Sequence, residues 1–152
     1  HTLEVEVWFA GLTANNTAAH IHCCVAAPNN VGVATQTPTF IGFPSGHTAG
    51  TYFQTFDTLD ASTYRAGFIK NAPGDGTVAT AEALLFAGLN DGFAYFNIHT
   101  MAFPGGEIRG FRELCGDTPN NPCATIPTVP EPATLALLGL GLAGLGFLRR
   151  KR

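Results

Sequence analysis

Leu3-Glu4-Val5-Glu6-Val7-Trp8-Phe9 alternates apolar and polar side chains along an otherwise plain stretch. A period of two puts Leu3, Val5, Val7 and Phe9 on one face of an extended strand, and a helix would scatter them. Gly11 ends the run. By the same reading residues 17–25, 31–35 and 48–56 are predicted strands, the last with Tyr52, Gln54 and Phe56 on one side. Turn-rich stretches separate them, Pro28-Asn29-Asn30 and Phe43-Pro44-Ser45-Gly46. Residues 77–89 carry the one helical pattern of the body, an apolar stripe of Val78, Ala81, Leu85 and Leu89 with Gly92 beyond its end, predicted to plug one edge of the sheets. A strand at 93–99 faces Ala94, Phe96 and Ile98 one way, and the turn Pro104-Gly105-Gly106 leads into a last strand at 107–113. Short alternating strands with one short helix predict a mainly β fold, an antiparallel β-sandwich or a partly closed barrel.

The end of the chain obeys different physics. Val129-Pro130-Glu131-Pro132-Ala133-Thr134 precedes an unbroken apolar run from Leu135 to Leu148 and a block of four cations, Arg149 to Arg152. Fourteen residues at about 1.5 Å each give roughly 21 Å, short of a hydrocarbon core of about 30 Å. Adding Ala133 and Thr134, and letting the cations reach outward to the headgroups, brings the segment close to spanning a thinned bilayer. Residues 133–152 are therefore predicted to be a C-terminal transmembrane helix with its basic end inside, which places the rest of the protein outside the cytoplasm. A buried helix of a soluble domain is the competing reading, opposed by the cationic stop.

Setting those cations aside leaves Arg65, Lys70, Arg109 and Arg112 against ten acidic residues in 1–130, a body charge of about −6. Such a surface has no basic footprint for nucleic acid. The apolar and aromatic content suffices for one modest core, so one domain is expected. No initiator Met and no leader open the chain, and upstream residues, including a first strand, are expected.

Cys23, Cys24, Cys115 and Cys123 make an even count, which in an exported chain reads as disulfides. Two bridges from the vicinal pair to the 115–123 segment are the favoured pairing, since adjacent cysteines rarely bond to each other. A zinc site is the weaker reading, because no C-x-x-C spacing occurs. Residues 115–132, rich in Pro, Asn and Thr, read as a linker.

Two resemblances are specific. The sequence VPEPATLALLGLGLAGLGFLRRKR resembles the PEP-CTERM sorting signal of Gram-negative bacteria, with Val129, Pro130, Glu131 and Pro132 as the motif. That resemblance implies export through the Sec pathway, cleavage near the motif by an exosortase, which is a membrane cysteine protease, and delivery to the cell envelope or an exopolysaccharide matrix. Gly11-Leu12-Thr13, Ala19-His20-Ile21-His22, the stretch from Gly92 through Asn97-Ile98-His99-Thr100, and Phe103-Pro104-Gly105-Gly106-Glu107-Ile108-Arg109-Gly110-Phe111 resemble, in order and spacing, the CHRD domain first noted in chordin. The likeness covers residues 1–114, without the family's usual opening strand.

Period two also places His20 and His22 on one strand face, about 7 Å apart at the backbone, so that both rings can converge on one ion. His99 ends another strand and supplies a third nitrogen. Copper or zinc on His20, His22 and His99 is one expectation, by geometric analogy with the H-x-H strand of Cu,Zn superoxide dismutase. The other is a polar cluster that fixes strand register, its histidines bonded to backbone and to Glu107 or Arg109. Cys24 is expected on the histidine face, and Glu107 with Arg109, two apart on a strand, as a structural ion pair. His47 reads as a solvated loop residue. No G-x-S-x-G elbow, phosphate loop, H-E-x-x-H helix or nucleotide fingerprint occurs, so no catalytic residue is assigned. The sequence thus points to a non-enzymatic exported protein with a surface or matrix role, whose partners are an exosortase, the inner membrane and the matrix. A metalloprotein, in the extreme a redox enzyme, is the rival.

Overall fold

The computed structural model describes residues 1–111, which lie in the unit His1–Leu114. The described residues are mainly β. Strand β1 (Thr2–Phe9) pairs antiparallel with β3 (Gly50–Asp57), Thr2 opposite Asp57 and Phe9 opposite Gly50. Strands β2 (Asn16–Cys23), β4 (Ala94–Thr100) and β5 (Ile108–Phe111) form a second antiparallel sheet in the order β2-β4-β5.

The alternation read from β1 is realised: Leu3, Val5 and Phe9 are buried and Val7 is half-buried, facing Tyr52 and Phe56 across the pair. From the second sheet Ala19, Ile21, Ala94 and Ile98 join the same core. Phe40, fully buried between β2 and β3 in the chain, lies against Tyr52, Phe56 and Phe96 of both sheets, with ring centroids 6.2, 5.0 and 6.0 Å away. The partly closed barrel is corrected by this arrangement. Among the described residues two separate sheets share the core, and no ladder joins them.

Helix α2 (Val78–Asn90) matches the predicted stripe, with Ala81, Leu85 and Leu89 buried. It starts where it does because the Thr77 hydroxyl accepts from Thr80 N while the Thr80 side chain accepts from Thr77 N, so that two otherwise orphaned donors are satisfied. Helix α1 (Ala66–Lys70) was not legible, since five residues carry too little periodicity to register. The predicted strand at 31–35 is reduced to isolated bridges. Val33 meets His22 whereas Thr35 meets Tyr64, so the segment divides its pairing between two partners and builds no continuous ladder.

What positions the site is β4, buried on both faces. One side gives Ala94 and Ile98 to the core; on the other, Tyr95 and Asn97 are 2 % and 4 % exposed. Residues 32–40 cover the free edge of β2 through Cys23 N to Gly32 O, Ala34 N to Ile21 O and Phe40 N to Ala19 O. Among the described residues no helix is long and apolar enough to cross a membrane, and the predicted helix at 133–152 lies outside them.

Candidate metal centre

His20 and His22 point away from the core on β2, and the register that sets His20 against Asn97 and Ala18 against His99 brings the His99 ring to theirs. One ligand nitrogen from each of the three rings lies within 4.8 Å of the others. His99 Nε2 is 2.9 Å from His20 Nε2.

The remaining ring nitrogens fix the proton positions. His20 Nδ1 lies 3.0 Å from Pro38 O, His22 Nδ1 2.6 Å from Val31 O, and His99 Nδ1 2.7 Å from Pro104 O. A carbonyl oxygen only accepts, so each Nδ1 carries the hydrogen and donates it. Each Nε2 is left unprotonated, and those of His20 and His99 face each other. That is the tautomer and anchoring expected of metal-ligating histidines, whose second nitrogen is held by a backbone carbonyl.

Burial removes the protonated alternative. Loss of water around His20, with the charges of His22 and His99 acting the same way and only the Pro38 carbonyl opposing, lowers its pKa to about 4. Burial lowers His22 too, reinforced by His99 and Arg109 and opposed by its bond to the Val31 carbonyl. Two neutral lone-pair donors therefore persist at neutral pH. His22 Nε2 is buried and has no hydrogen-bond partner. A buried, unsatisfied acceptor costs about 1–3 kcal/mol, and a bound cation would offset that cost.

Around the centre the sequence reading needs several corrections. Glu107 and Arg109 do not pair: Glu107 accepts from Thr13 N at 2.7 Å and Thr100 Oγ1 at 2.8 Å, while Arg109 donates to Asn30 Oδ1 at 2.6 Å and Pro28 O at 2.7 Å. Glu107 precedes β5, just after Gly106 at φ +116°, so strand alternation does not govern its side chain. Arg109 instead lies 5.3 Å from the centre of the Tyr95 ring, which stacks on His22 at 4.8 Å and 4°. The histidines bond to backbone, as the polar-cluster reading held, and make no hydrogen bond to Glu107 or Arg109.

Cys24 is not on the histidine face. It is bonded to Cys23 across a cis peptide, and the sulfurs lie beside the Leu84 carbonyl and Gly88 of α2. Cys23 and Cys24 thus sit against each other, their Cα atoms 3.0 Å apart, where bridges from each to the 115–123 segment were expected. Cys115, Cys123 and the motif residues Val129 to Pro132 lie outside the described residues.

Asn97 was missed. It shares the period-two face of β4 with His99, and its Nδ2 donates to His99 Nε2 at 3.2 Å and to Gly105 O at 3.3 Å. That spacing was readable in Asn97-Ile98-His99, but only its burial distinguishes it from a solvated polar residue.

No curated protein and no solved structure gives a match to the chain. The PEP-CTERM protein-sorting motif matches residues 128–152, a signal that implies export and exosortase processing. The CHRD domain matches residues 1–111 of 152, the part that holds both sheets and all three histidines, and the chain belongs to the CHRD domain family.

Proposed function

We propose that this is an exosortase-sorted protein of the cell envelope or exopolysaccharide matrix, and that its CHRD domain serves there in surface interactions while holding one copper or zinc ion on His20, His22 and His99. The sorting motif at 128–152 supports the address. Inner-membrane anchoring through 133–152, transient or retained, belongs to the same proposal and rests on the apolar run and its cationic end. Within this reading no residue has a catalytic role.

The observation that carries the metal assignment is the buried, unpartnered Nε2 of His22, facing two more lone-pair nitrogens whose opposite ring positions are pinned by carbonyls. A structural polar cluster would close on itself through hydrogen bonds. Here His22 Nε2 has no partner, and His20 and His99 meet Nε2 to Nε2 at 2.9 Å with both Nδ1 hydrogens held by carbonyls. Metal analysis of the purified full chain tests it. One equivalent of copper or zinc is expected, lost in His20→Ala and His22→Ala variants that retain their circular dichroism; no bound metal after challenge and dialysis would return the histidines to a purely structural role.

A further inference from the structure

We propose that the ion on His20, His22 and His99 keeps one coordination position open to a small exogenous anion, with Asn97 as the hydrogen-bond donor to that anion. The inference rests on the metal assignment above and adds the class of ligand that the site takes.

Three observations carry it. The first is the donor set. Among the described residues the cluster holds three histidines and no carboxylate or thiolate. Glu107, the acid of the turn beside His99, is committed to Thr13 N and Thr100 Oγ1, and the sulfurs of Cys23 and Cys24 are bonded to each other against α2. Three neutral nitrogens leave a divalent ion with its full charge, and three-ligand copper or zinc sites complete their shell with water or an exogenous ligand. The site's electrostatics favour an anion there, and the Arg109 guanidinium, stacked over Tyr95 and through it over His22, adds to the positive potential.

The second is access. His20 and the Nε2 of His22 are buried, whereas His99 is only half-buried and its bond to Pro104 lies at the surface. A small ligand approaches from the His99 side.

The third is Asn97. Its amide spends one N–H on Gly105 O and another on His99 Nε2. When His99 Nε2 gives its lone pair to a metal, the second N–H loses its acceptor beside the ion, and a metal-bound anion restores one. Gly106 makes room for this amide: a Cβ there would overlap Asn97. Asn97 is thus a positioning residue for the anion and not a ligand of the metal.

Azide titration of the full chain loaded with one equivalent of Cu(II) tests the inference. A saturable azide-to-copper charge-transfer band is expected, with an altered copper EPR spectrum. Asn97→Ala should keep the copper and weaken azide affinity about tenfold, the worth of a hydrogen bond to a charged acceptor. The isosteric Asn97→Asp, which sets a carboxylate in the same place, should weaken it at least as much. Copper bound one to one with a spectrum indifferent to azide would overturn the open position and leave the metal assignment standing. Unchanged azide affinity in both folded variants would overturn the role of Asn97. Failure to bind copper at all would remove the metal assignment itself.

Discussion

His20 stays neutral in the folded domain because burial strips the water that would stabilise its imidazolium, and two neighbouring rings repel a positive charge. The sign of the consequence follows. A pKa of about 4 in the fold lies below the ordinary 6.5, so the fold binds fewer protons than the unfolded chain between those values. The contribution is complete above about pH 6.5 and is lost as pH falls toward 4. Denaturant titrations of the metal-free protein at pH 7 and pH 4.5 should show a loss of about 2 kcal/mol once solvent screening is allowed for, and the difference should shrink in His20→Gln. Gly106 is a second single-residue control point. At φ +116°, with the Asn97 amide where a Cβ would stand, Gly106→Ala should destabilise the domain by about 1–3 kcal/mol and weaken copper binding with it, measured by thermal melting and metal titration.

The elements differ in what holds them. Helix α2 has a capping box at Thr77 and a buried stripe through Leu85, whose side chain is fully enclosed. Thr77→Ala should cost about 1 kcal/mol, the loss of one cap. Leu85→Ala should cost about 2–5 kcal/mol, because the removed side chain leaves a cavity in the core; urea midpoints compare the two directly. Strand β4 does two jobs at once. Its core side was legible from Ala94, Phe96 and Ile98, but the alternation did not show that the opposite face is enclosed, where Val31 N donates to the Tyr95 hydroxyl and the Arg109 guanidinium lies over the Tyr95 ring. A period-two pattern states which residues share a face. It does not state whether that face meets water, and so Asn97 went unnoticed while His99 did not.

At the scale of the whole molecule the folded body and the tail are separate matters, one of packing and one of address. If the tail is an exosortase substrate, protein from the native cell should have an intact mass lacking the apolar run and basic end, and replacing Pro130 and Glu131 by Ala should restore the full mass and leave the chain in the membrane fraction. Mass spectrometry of the two fractions checks both. The sequence by itself carried the family, the sorting motif and the core faces of the long strands, because each is a local property: a set of motifs in order, a short signal, an alternation along one strand. It also named the three histidines. The convergence of their rings, the carbonyls of Val31, Pro38 and Pro104 that set their tautomers, the separate partners of Glu107 and Arg109, and the bonding of Cys23 to Cys24 were decided only in three dimensions. Those contacts join residues far apart in the chain or depend on a backbone turn that breaks the alternation, and spacing along a sequence carries no record of either.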